Sequence, residues 1–126
     1  MKNRQRLGKT TVAIVVSTLA FSNCAWGLPQ GGTVVTGNGS YTSSGNQMDI
    51  TGTGNVSVKW DSFNVAAGET VNFKNMNAIL NYVTGRQGSE IFGALNGQGV
   101  YVFLINPNGI LFGKTAQVNV GSLTAS

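Results

Sequence analysis

The chain has 126 residues, with 8 Lys and Arg against 4 Asp and Glu, one Cys and no His. The excess charge belongs to Lys2, Arg4, Arg6 and Lys9; from residue 28 onward Lys59, Lys74, Arg86 and Lys114 balance Asp49, Asp61, Glu69 and Glu90. A neutral body excludes a basic nucleic-acid footprint, and the missing His excludes most transition-metal sites and any Ser-His or Cys-His nucleophile pair.

Residues 1–27 have the layout of a Sec signal peptide. A basic start (MKNRQRLGKT) precedes an apolar run at 12–21 (VAIVVSTLAF) and then small residues at Ala25 and Gly27. This order specifies cleavage after Gly27, leaving Leu28 as the first mature residue. The apolar run is shorter than the roughly 20 residues a transmembrane helix needs. Acylation of Cys24 is the rival reading, but Asn23 fits a lipoprotein signal badly. Cleavage at Gly27 removes the only Cys, which suits a chain kept unfolded in an oxidising compartment.

The body holds 16 of the 18 glycines and recurrent Asn, Thr, Ser and Val. Gly and Asn serve turns, and Val, Ile, Phe and Thr serve strands. Val56, Val58 and Trp60 alternate with Ser57 and Lys59. Phe63-Asn64-Val65, Val71-Asn72-Phe73 and Val118-Asn119-Val120 repeat one pattern, apolar residues in and amide out. Stacked amides suit a parallel β-helix, although periodicity alone leaves a β-sandwich open. Over 76–83, Met76, Ile79, Leu80 and Val83 have helical spacing; a strand is preferred, since Gly85 ends a short apolar run.

The strongest local signal is GVYVFLINPNGILFG at 99–113. The unbroken run Val100–Ile105, with Val102, Phe103 and Leu104 inside it, predicts a core strand covered on both sides. Asn106-Pro107-Asn108-Gly109 predicts a type I turn, with Pro107 pre-setting φ and Asn106 bonding nearby backbone. Ile110, Leu111 and Phe112 then resume the core. Gly37-Asn38-Gly39 and Gly52-Thr53-Gly54 lack the third glycine and following helix of a phosphate loop. The four acids are isolated in sequence and read as solvated charges rather than a catalytic pair.

From Leu28 to Ser126 the chain resembles the N-terminal secretion domain of two-partner-secretion exoproteins of the filamentous-haemagglutinin type. The resemblance is carried by LPQGG (28–32), WDSFNVAAGETVNF (60–73), LNYVTG (80–85), SEIFGALNGQG (89–99), VFLINPNGILFG (102–113) and AQVNVGSL (116–123), in the family's order. NPNGI, Asn106 to Ile110, is the family's named motif. One departure is Tyr82, where family members usually carry Arg.

The resemblance implies an all-β fold: the start of a right-handed parallel β-helix with N-terminal capping strands, preceded by a signal-peptide helix. Because an exposed coil end needs a cover, residues near 33–58 are expected to be irregular or antiparallel capping strands. It implies export by the Sec translocon, then capture of the unfolded chain by periplasmic domains of an Omp85-type outer-membrane β-barrel transporter. Folding then occurs at the surface of a Gram-negative-type cell. No catalytic residue, cofactor, metal, nucleic acid or small-molecule substrate is implied. The family's domain is usually more than twice this length, so 28–126 is expected to be its N-terminal part. The alternative is a stand-alone β-rich surface adhesin module.

Overall fold

A computed structural model describes residues 27–126. The expected signal-peptide helix lies outside the described residues. Eight strands follow in chain order: β1 (Thr33–Ser44), β2 (Gln47–Trp60), β3 (Thr70–Lys74), β4 (Ala78–Val83), β5 (Ser89–Ile91), β6 (Ala94–Ile105), β7 (Ile110–Phe112) and β8 (Gln117–Ala125).

They wind into a parallel β-solenoid with three faces. On the first face Gln47, Thr70, Ala94 and Gln117 stack one above another. On the second, Val56, Ile79, Val102 and Leu123 do so. The third is built from the Val65–Ile91 bridge and the β5–β7 pair. The long strands β2 and β6 each serve two faces by bending at a corner. At that corner Gly54, Asn75 and Gly99 take positive φ in successive coils, at 62°, 65° and 74°. Gly reaches this region at no steric cost, and Asn tolerates it better than other side chains.

The interior is one column of apolar side chains, including Ile50, Val58, Val71, Ile79, Ile91, Leu95, Val102 and Leu104. Each such burial is worth about 1.5–3 kcal/mol before entropy is counted. Trp60 anchors the lower end, its ring 4.9 Å from Tyr41 and 5.8 Å from Phe63 between centroids.

The lower edge is closed. β1 pairs antiparallel with β2, with bulges near Thr36, and so occupies a sheet edge that would otherwise offer free backbone groups. Gln30 bridges to Ser62 beneath it. Capping is thus confined to 28–44, whereas 47–58, expected among the capping strands, belongs to β2 and so to the first coil itself.

Three further expectations are corrected. Val100, Val102 and Leu104 are buried, but Phe103 is 37% exposed and Tyr101 56%. A solenoid has a single interior, so alternate residues of β6 face outward despite their apolar character. Ile110 packs against the core, while Leu111 and Phe112 are exposed. Leu111 alternates outward, and among the described residues no strand covers the upper edge of β7. Asn64, expected outside, is buried and accepts a hydrogen bond from the Glu90 amide at 2.8 Å. The ambiguous segment 76–83 carries strand β4, with Met76 buried at the preceding corner.

Candidate functional site

The turn Asn106–Gly109 carries the chain from the second face to the third. Its backbone closes through the Gly109 N–H, which donates to the Asn106 carbonyl at 2.9 Å. The Asn108 N–H donates to Asn106 Oδ1 at 2.9 Å, the local side-chain bond that Asn favours at a turn's first position. Gly109 completes the turn at φ 103°.

The Asn106 side chain is buried, and it also reaches down one coil. Its Nδ2 donates to the Gln87 carbonyl at 3.0 Å and to Ser89 Oγ at 2.9 Å. The Ser89 N–H returns a bond to the Gly109 carbonyl at 2.9 Å. Asn108 is exposed, and its Nδ2 donates to the Gly85 carbonyl at 2.8 Å. The turn is therefore clamped onto the 85–89 segment below it. Pro107 has an exposed side chain, and Ile110 turns inward to the core. An open groove of about 780 Å³ borders the turn, lined by Asn64, Gln87, Ser89, Glu90 and Asn108 among others.

A second polar feature runs up the first face. Asn72 donates to Asp49 at 2.9 Å, Asn96 to Asn72 at 3.4 Å and Asn119 to Asn96 at 3.0 Å. The partners are 23 or 24 residues apart, which is the length of one coil. Asp49 ends this ladder and pairs with Lys74 at 3.3 Å. Hydrogen bonds from Asn72 and then Gln47, with Lys74 beside them, hold its carboxyl below the usual value.

Sequence reasoning treated Asp49 and Glu69 as isolated surface charges, and it missed Ser89 and Asn81. The spacing of Asp49, Asn72, Asn96 and Asn119 was the available signal for the first. Ser89 and Asn81 carry none, because their partners are set by the stacking register. Of the expected cleavage-site residues, Gly27 and Leu28 lie within the described region and Ala25 does not. Leu28 is buried, its side chain part of the core.

Comparison with known proteins places this architecture. Residues 25–126 match the family model described as the TPS secretion domain. A heme/hemopexin-binding protein of Haemophilus influenzae is 38% identical over 103 residues, covering 79% of this chain and 11% of that protein. A second Haemophilus influenzae protein of that name is 33% identical over 78 residues, covering 60% and 8%. This chain thus spans about a tenth of the length of those relatives. The crystal structure of the HMW1 secretion domain from Haemophilus influenzae superposes with a TM-score of 0.73 at 38% identity, over 77% of this chain and 27% of that one. With the three-faced solenoid, the capped lower end and the family match over nearly all of its length, the chain belongs to the TPS secretion domain family.

Proposed function

We propose that residues 28–126 direct export through an outer-membrane β-barrel transporter of the Omp85 type, whose periplasmic domains capture the chain unfolded. Residues 1–27 act as the Sec leader, and the first coils nucleate β-helix folding at the cell surface. The observation that carries this reading is the asymmetry of the solenoid. Its lower end is closed by β1 and residues 28–32, while backbone and amide ladders run upward coil by coil. Each coil contacts its neighbours and rests on the one before it, so order can propagate from the N-terminal end as chain emerges. Burial released at each step supplies a driving force where no nucleotide is consumed. In this reading the Asn106–Ile110 turn serves mainly to lock the third coil onto the second.

The test is co-expression of the full exoprotein with its transporter, with and without residues 28–126. Loss of the segment should leave the protein in the periplasm, and the unfolded segment should bind the transporter's isolated periplasmic domains. Undiminished surface delivery of the deleted protein would overturn the proposal.

A further inference from the structure

We infer that the α-amino group of Leu28, created when the leader is removed, forms an ion pair with the Glu69 carboxylate and fastens the mature N-terminus across the first two coils. This rests on the proposed cleavage after Gly27. In the uncleaved chain the Leu28 backbone N–H already donates to Glu69 Oε1 at 2.9 Å. The same oxygen accepts the Ala66 N–H at 2.8 Å, and the Glu69 N–H donates to the Ala66 carbonyl at 2.9 Å. Glu69 thus sits in the turn that ends the first coil. Its own carbonyl accepts the Ala94 N–H at 2.9 Å, which ties the turn to the third coil as well.

Two features suit this carboxylate to an ammonium group. Among the described residues it has no Lys or Arg partner, since the ion pair there joins Lys74 to Asp49. Its neighbour Leu28 is held in place, with the Leu28 side chain in the core and Gln30 bonded to Asp61 and Ser62. Hydrolysis of the Gly27–Leu28 bond adds the hydroxyl of water to the Gly27 carbonyl and a hydrogen to the Leu28 nitrogen. That nitrogen then takes up a proton at neutral pH. One neutral amide donor becomes a cation with three donors, at a position already within bonding distance of the anion. Removal of the leader therefore strengthens the fold at its starting end, and a chain still carrying its leader has only an uncharged amide donor to the carboxylate there.

The test uses the full-length exported protein with a free Leu28 amine or with that amine acetylated, each with Glu69 or Glu69→Gln. Acetylation keeps the N–H and removes the charge. Amide hydrogen exchange is followed in the peptide spanning residues 64–72. With Glu69 present, exchange should be about fivefold slower for the free amine, the ratio expected when an uncharged amide donor to a carboxylate becomes an ammonium ion pair. The difference should vanish in Glu69→Gln. Equal exchange with free and acetylated amine, or a difference that survives Glu69→Gln, would overturn the inference. If Glu69→Gln fails to fold, salt decides: the free-amine advantage must shrink as ionic strength rises, and a salt-independent advantage counts against the pair. N-terminal sequencing of the same protein separates the two levels. A start other than Leu28 refutes the cleavage site and the ion pair with it, whereas a Leu28 start without coupling refutes the ion pair alone.

Discussion

Trp60 Nε1 donates a 3.0 Å hydrogen bond to Asn81 Oδ1, and neither side chain has any solvent exposure. The Asn81 amide then donates to the Phe103 carbonyl at 3.2 Å, so one buried amide joins the first coil to the third. Asn81→Leu leaves the buried indole N–H without a partner and removes the side-chain bond to the Phe103 carbonyl, which keeps its place in the β4–β6 ladder; the loss should be about 1–3 kcal/mol. In a chain beginning at Leu28, Trp60 is the single Trp, so urea unfolding followed by its fluorescence reads the loss directly. An unchanged midpoint would show that this amide does not hold the coils together.

The two asparagines of the turn should separate in stability. Asn106 is buried and satisfies Gln87, Ser89 and Asn108 together, so Asn106→Ala should cost about 2–3 kcal/mol. Asn108 is exposed and chiefly bonds the Gly85 carbonyl, so Asn108→Ala should cost about 1 kcal/mol or less. Secretion measured beside stability should fall in the same order if the turn acts through folding. Lost secretion in Asn108→Ala at unchanged stability would instead mean that a transporter reads the side chain.

Asp49 makes the ladder sensitive to acid. Its carboxyl is held below the ordinary value of 3.8, so its contribution is present above that value and is lost as pH falls through the lower folded one. Unfolding midpoints measured from neutral pH into the acid range should drop more steeply for the native chain than for Asp49→Asn. Parallel acid limbs for the two proteins would assign the acid sensitivity elsewhere.

Gly93 tests how closely the coils approach. A Cβ there would press on the Glu69 and Ala66 carbonyl oxygens and on the Val65 side chain. Gly93→Ala should therefore destabilise by about 1–3 kcal/mol through overpacking, visible as a lower urea midpoint.

The sequence by itself determined much of this protein. The alternation in Val56–Trp60, the turn at Asn106–Gly109 and the ordered family segments are local patterns, and each is realised where it was expected. Local chemistry suffices there because Pro, Asn and Gly set backbone angles through their own atoms. Only the tertiary structure decided which apolar residues of β6 face the core, since a run such as Val100–Ile105 carries no polar face to orient it. The same holds for the partners of the polar groups. Asn72 meets Asp49, Asn81 meets Trp60, Asn106 meets Ser89 and Leu28 meets Glu69 across separations of 23, 21, 17 and 41 residues. Those distances vary because the pairs are not equivalent stacked positions: Asn72 sits directly above Asp49, whereas Trp60 stacks on Val83 and Leu28 precedes the capping hairpin. Contact between two side chains follows the stacking register, and the register is settled by backbone ladders that form between coils.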